Sequence, residues 1–429
     1  PIGGKRQQTV RGDRFRHHGV GSTCAALWWK WLWSLHEERH HEESNPQGET
    51  GTVGEDPAQP LLGGIKPGMR VMIKGEAVCW PLIAELEAQV VAAGGLPDVN
   101  LIGPNNDRGK VWSAAMGQFG TEEQVAAIPD WHRLRYEAMD AYVEVLGMED
   151  PSQFTMLTGA QAQILARADL PFRTIRGGKP WVLTLYPTAH DAEFEDFSLQ
   201  EYAEFLVEAS LSDPNALVAA QEALAPLFDR AKTMTIRTRM PGCAELLELK
   251  VHFYEGSHSK ACWGQCNWPD GERFRSPDPR FTTGEIYLDL PVCYQGQTIQ
   301  GIYLKFEDGK AVDFSAKEGN DVLKSIIETD QGSCRLGEAA LGMNPGLSRV
   351  LKSPLYVEKV GGTLHIALGS SYEDCFVDAE GAKQAGAFNQ SAQHVDIVCD
   401  FRTGGAGVSV HLDDTLLVVL DNQWVVSQP

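Results

Sequence analysis

No stretch of the 429 residues approaches the ~20 consecutive apolar residues that a membrane-spanning helix needs. The nearest, CAALWWKWLWSL at 24–35, is interrupted by Lys30 and lacks a small-residue cleavage pattern, so neither a membrane anchor nor a signal peptide is expected. Phosphate-cradling glycine motifs are missing as well. No G-x-G-x-x-G or Walker sequence stands at a strand–helix junction, which leaves nucleotide binding without support. Positive charge is scarce: 37 Lys and Arg against 58 Asp and Glu give a formal net charge of −21. That balance argues against nucleic acid or an anionic membrane surface as partner. The nine cysteines are odd in number and scattered, a poor disulfide framework. Reduced thiols in a cytoplasmic protein are the expectation. Cys262 and Cys266 stand shortly after His252 and His258 and suggest a zinc site, but no second closely spaced cysteine pair follows, and inert thiols are the simpler reading.

What is present divides into three textures. Residues 1–60 hold five of the twelve histidines and four of the eleven tryptophans, with HEERHHEES and a Gly/Pro/Gln-rich run, and no helical or strand period persists there. They are expected to be a disordered or non-native extension rather than a metal-binding tail. From Ile65 the chain alternates strands and helices. MRVMIKG (69–75), an amphipathic helix over 81–95 and LPDVNLIG (96–103) form a βαβ unit. A strand at 140–147, a helix over 160–168, a strand at 180–188 and helices over 198–210 and 215–232 continue the pattern. Residues 65–235 are therefore expected to form a doubly wound α/β domain. Beyond about 235 the segments become β-rich. GEIYLDLPV (284–292) and GIYLKFEDGKAVDFSA (301–316) alternate apolar and polar residues, and Asp308-Gly309 supplies a hairpin turn. One helix, at 321–329, interrupts the strands. The fold class expected is thus an N-terminal doubly wound α/β domain followed by a β-rich α+β catalytic domain over 236–429.

Candidate chemistry lies in that second part. In NQSAQHVDIV, His394 and Asp396 are two apart on a strand and face one way, while Val395 and Ile397 face a core. His365 sits in an apolar, glycine-bounded strand, where a core histidine bonded to a carbonyl is the bland alternative. Glu338 lies between glycines in apolar surroundings, either a helix-start residue in solvent or a buried carboxylate that needs a cation. Glu272 follows a Pro/Asp/Gly turn, NWPDGERFRSPDP at 267–279, whose restricted backbone either serves the turn alone or holds the carboxylate still. Three carboxylates and two imidazoles without a thiolate suit a pair of divalent ions, Zn, Co or Mn, better than a structural zinc.

Several motifs occur in order: IKPGMRVMI at 65–73, Y-P-T-x-x-x-A at 186–192, W-P-D-G-E at 268–272, D-x-G-x-x-x-L-G-E at 330–338, H-I-A-L-G at 365–369 and N-x-S-x-x-H-V-D at 389–396. Together they resemble the aminopeptidase T / aminopeptidase S / PepS family of two-metal aminopeptidases over residues 65–429. The resemblance implies an N-terminal α/β domain, a C-terminal catalytic domain, a homodimer and peptide substrates with a free N-terminus. It implies metal ligands at Glu272, Glu338 (bridging), His365, His394 and Asp396, and an active-site tyrosine at Tyr372. This chain departs from the family where an acidic D-E-N stretch usually precedes the H-x-A-x-G histidine. Here Glu358-Lys359-Val360-Gly361-Gly362 stands instead, and Glu358 is the candidate proton carrier. The basic segment after Glu272 is a second departure, and Arg273 and Arg275 are expected to bear on substrate preference. A rival remains: His365, His394 and Asp396 alone match the two-histidine, one-carboxylate ligation of a mononuclear Fe(II) ring-cleaving dioxygenase.

Overall fold

The computed structural model describes residues 64–102, 119–127, 130–149, 171–172, 174–264, 266–294, 297–403 and 408–427. The extension expected over 1–60 and the helix expected over 160–168 lie outside the described residues.

β1 (Arg70–Glu76) is buried in all but its first residue, as a strand covered on both faces must be. α1 (Trp80–Ala92) starts with a proline in its first turn and stops at Gly94, whose φ of 82° is a left-handed conformation that favours glycine. The chain then returns through β2 (Leu96–Ile102), parallel to β1. α2 (Asp130–Ala138) leads to β3 (Ala141–Leu146), which pairs with the other edge of β1, and β4 (Trp181–Leu185) follows. Leaving β1 to one side and then to the other is what makes the sheet doubly wound. A short helix at Ala189–Phe194, capped by Thr188, comes next, and two longer helices with side-chain caps follow it. Ser198 and Glu201 form a capping box at the start of α3 (Leu199–Ser210), and Asp213 caps α4 (Pro214–Arg230).

The following strands are antiparallel. β5 (Thr233–Thr238) and β6 (Leu247–His252) lie in a nine-stranded sheet with β10 (Thr283–Leu288), β11 (Val292–Tyr294), β12 (Gln297–Glu307), β13 (Lys310–Glu318), β17 (Ser409–Leu412), β18 (Thr415–Leu420) and β19 (Gln423–Val426). The expected hairpin is there: Asp308 and Gly309 both have positive φ, 48° and 76°, the turn whose twist matches its strands. α5 (Asn320–Ile327) follows it. A third sheet has the order β16-β15-β14-β9-β7: β7 (Lys260–Cys262), β9 (Glu272–Arg275), β14 (Leu336–Gly342), β15 (Thr363–Gly369) and β16 (His394–Asp400). One face of this sheet carries Leu341, Leu364, Ile366, Val395 and Ile397, which pack against Ile236, Leu249, Ile286 and Leu304 of the nine-stranded sheet. Burying both apolar faces in one sandwich leaves the opposite face of the smaller sheet free for polar residues.

β8 (Asn267–Trp268) joins the two regions. It pairs in parallel with β4 and so becomes the fifth strand of the doubly wound sheet, four residues before β9 begins.

Candidate metal centre

The register of the small sheet places the polar residues. Glu272 lies opposite Gly342 on β14, Ala340 opposite His365 on β15, and Ala367 opposite both Glu338 and Asp396. Residues directly opposite, or two apart on one strand, share a face. Glu272, Glu338, His365, His394 and Asp396 therefore all project from the face turned away from the sandwich. Between them stand Ala340, Ala367 and Gly342, too small to fill the space above the sheet. A bulge at Gly337 is needed for this. Leu336 packs into the sandwich core, yet Glu338, two residues on, faces the other way, because the register slips by one residue between them.

The distances are short. His365 Nε2 lies 3.4 Å from Glu272 Oε2 and 3.5 Å from Glu338 Oε1. His394 Nε2 lies 3.0 Å from Glu338 Oε2 and 3.5 Å from Asp396 Oδ1. Glu338 thus belongs to two donor groups, one with Glu272 and His365 and one with His394 and Asp396, each with donor atoms within 4.8 Å of one another. The first group is buried, whereas His394 and Asp396 keep 22% of their side-chain surface and open the pocket to solvent. His394 Nδ1 is 2.8 Å from the Ser370 carbonyl, which can only accept, so Nδ1 keeps a proton and Nε2, toward the carboxylates, is the nitrogen that would ligate once its own proton is displaced. Tyr372 Oη lies 3.1 Å from the same Nε2.

Glu358 and Lys359 reach the pocket from a loop that lies directly on β14. A Cβ at Gly342 would collide with the carbonyl oxygens of Val360 and Glu358, so only glycine lets this loop settle there. Glu358 forms a donor group with His365 and Asp396. Lys359, almost fully buried, places Nζ 2.5 Å from Glu272 Oε1, 2.7 Å from Glu358 Oε1 and 3.9 Å from Asp270 Oδ1. The WPDG turn carries Asp270, whose carboxylate accepts from the backbone N–H groups of Gly264 and Gly271.

The electrostatics follow from crowding five carboxylates with one ammonium. Burial opposes charge on His365, but Glu338 and Glu272 beside it outweigh burial and raise its pKa to about 9. His394 is raised well above its ordinary value in the same way, chiefly by Asp396. Burial pushes the Glu358 carboxyl well up despite Lys359, and burial followed by the nearby carboxylates pushes the Tyr372 phenol well up. A cluster this rich in negative charge calls for cations. Two of its buried oxygens, Glu272 Oε2 and Asp396 Oδ1, accept no hydrogen bond from the protein. Mixed oxygen and imidazole donors, with no thiolate inside the two Glu338 groups, suit borderline divalent ions.

A profile of the thermophilic metalloprotease family (M29) matches residues 62–410. The chain belongs to this family. It is 28% identical to aminopeptidase PepS of Streptococcus thermophilus over 273 residues, 58% of this chain and 64% of that one. It is 33% identical to aminopeptidase T of Thermus aquaticus over 159 residues, 34% of this chain and 37% of the other. The matched segments therefore span less than two thirds of these curated relatives. The solved structure of AmpT from Thermus thermophilus shares the fold, with a TM-score of 0.67 and 22% identity, over 84% of this chain and 95% of that chain. Metal use by this M29 chain accords with the family's description as metalloproteases.

All seven residues expected from the sequence come together in one pocket, Glu358 included. One other expectation changes, and two alternatives set aside in the sequence reading gain nothing. Arg273 and Arg275 point to the opposite face of β9 from Glu272, away from the pocket of candidate ligands. Arg275 donates to the carbonyls of Phe228, Ala231, Tyr254 and Ser257, and Arg273 to Gln221. Among the described residues, neither His252 nor His258 joins a possible metal group, and Cys262 stands instead with Asp270 and Glu272. The one-iron ring-cleaving alternative finds no support: Glu272 and Glu338, which it does not need, converge on the same pocket, and the relatives are named as aminopeptidases. Lys359 is the pocket residue that sequence reading passed over as a site residue.

Proposed function

We propose that this chain is an aminopeptidase that removes the N-terminal residue of peptides with the help of two divalent ions, Zn, Co or Mn. The observation that carries the proposal is the double membership of Glu338, whose two oxygens face two separate donor groups. Glu272 and His365 would complete one position, His394 and Asp396 the other, with Glu338 between them. Residues 65–235 would support a catalytic domain of 236–429, and the working form would be a cytoplasmic homodimer.

Ions bound there would supply Lewis acidity, lowering the pKa of a water and polarising the scissile carbonyl. The side chains supply the rest. The pocket opens at His394, Asp396 and Tyr372, where a peptide end would enter, and the carboxylates offer counter-charge to its free amine. Tyr372, kept protonated, donates a hydrogen bond from Oη to the oxyanion that develops on the scissile carbonyl. Glu358 takes the proton from the attacking water and returns it to the departing amine nitrogen, from its place beside His365 and Asp396.

Metal analysis joined to a panel of aminoacyl-p-nitroanilides tests the proposal. About two ions per chain and release of the first residue are expected. Glu338→Ala should abolish turnover and lower metal content together. A single iron with oxygen uptake on a dihydroxylated ring, or full activity in Glu338→Ala, would end it.

A further inference from the structure

Lys359 is a buried ammonium that the hydrolytic scheme does not use. It enters from the loop seated on Gly342, next to the candidate proton carrier and against a candidate ligand. Its neighbours on every side are anionic or neutral: Glu272, Glu358 and Asp270, with the Cys262 thiol behind them. Asp270 is already served by two backbone N–H groups, so the close contacts go to Glu272 and Glu358. The ammonium takes Oε1 of Glu272 and leaves Oε2, buried and without a hydrogen bond, facing His365.

The two donor groups are consequently unequal. In the Glu272–Glu338–His365 group one carboxylate is half spent on a fixed positive charge, and that charge repels any second cation nearby. In the Glu338–His394–Asp396 group neither carboxylate is among the ion-pair partners of Lys359, and His394 and Asp396 lie at the partly open side of the pocket. We propose that Lys359 is a positioning residue that grades the two metal positions, so that the solvent-facing one fills first and tightly while the buried one holds its ion weakly. By holding one oxygen of Glu272, Lys359 also presents that carboxylate through a single oxygen. This inference rests on the two-ion reading. Its physiological meaning is a site whose full loading, and hence activity, follows the supply of free divalent metal.

The test is a titration of the metal-free, full-length protein with Co(II), followed by visible absorption and equilibrium dialysis. Two steps are expected, their affinities separated by at least about tenfold. Asp396→Asn should remove the tight step and Glu272→Gln the weak one. Lys359→Met should strengthen the weak step about tenfold or more and change the visible spectrum of the second ion, as Glu272 gains use of both oxygens. Lys359→Arg, which keeps the charge, should preserve the gap. Circular dichroism checks that each variant is folded. Should Lys359→Met fail to fold, the assignment of steps by Glu272→Gln and Asp396→Asn still decides the order. The reverse assignment, equal affinities in the unaltered protein, or an unchanged gap in folded Lys359→Met would overturn the role of Lys359 while leaving two ions in place. One Co(II) per chain, unaffected by Glu272→Gln, would instead remove the two-ion reading and this inference with it.

Discussion

Metal uptake by the pocket should depend steeply on pH, and the structure sets the size of the effect. A protonated imidazole cannot ligate, so each ion bound through His365 must displace its proton. The carboxylates of Glu338 and Glu272 hold the His365 pKa near about 9 in the metal-free protein. At pH 7, two units lower, only about 1% of His365 is neutral. The apparent affinity should therefore rise about tenfold per pH unit from 7 to 9, about 2.7 kcal/mol in total, and level off above. His394, raised in the same sense, adds to the slope. Mn(II) is a convenient probe, because the free ion is counted directly by electron paramagnetic resonance as metal-free protein is titrated at several pH values. Proton release in weak buffer gives an independent reading. An affinity that changes by less than about twofold between pH 7 and 9, with no protons released, would refute the idea that carboxylate crowding controls the site.

Other outcomes follow from the same geometry. A folded-state pKa above the ordinary 6.5 means that the protonated His365 stabilises the metal-free fold below pH 6.5, and that this is lost as pH rises through about 9. The urea midpoint of the metal-free protein should fall over that window, by up to about 3 kcal/mol in stability; a flat profile would contradict it. Gly342→Ala should lift the Glu358–Val360 loop off β14 and lower kcat at least about tenfold, with stability reduced as well. Near-normal turnover would show that the loop does not depend on that close approach. Arg275→Met should leave buried carbonyls of α4 and its surroundings without donors and cost about 3 kcal/mol or more in urea unfolding, while KM across peptide substrates stays unchanged in folded protein. A changed substrate preference would return Arg275 to the site.

Much of this is legible in the sequence. The Asp308-Gly309 hairpin and the β1–α1–β2 unit follow from local rules, alternation for strands and glycine punctuation for ends. His394 and Asp396 were legible as a pair because a strand fixes which residues share a face. The same rule would have separated Glu272 from Arg273 and Arg275. It was hidden because three prolines and a glycine around residues 267–279 read as a turn, when Glu272–Arg275 is a strand. Lys359 was invisible for a different reason. A lysine beside a glutamate in a glycine-rich loop has the local signature of a solvated surface. Its burial depends on a glycine seventeen positions earlier, Gly342, and on carboxylates far away in sequence. Long-range contacts of that kind leave no periodicity to read.

The short strand Asn267–Trp268 has a consequence for how the molecule comes apart. Tyr356 donates from Oη to the Trp268 carbonyl and accepts from the Leu185 amide, which ties that strand to β4 a second time. Glu272 lies four residues beyond Trp268, and Lys359 three beyond Tyr356, so both arms of the buried ion pair are rooted in the doubly wound sheet. Loosening β4 would free both together. A fragment cut near residue 235 would keep every proposed ligand and still lose the anchorage of one of them. Amide exchange at Leu185 should slow when the pocket is loaded, although that amide lies in a sheet that contributes no ligand of its own.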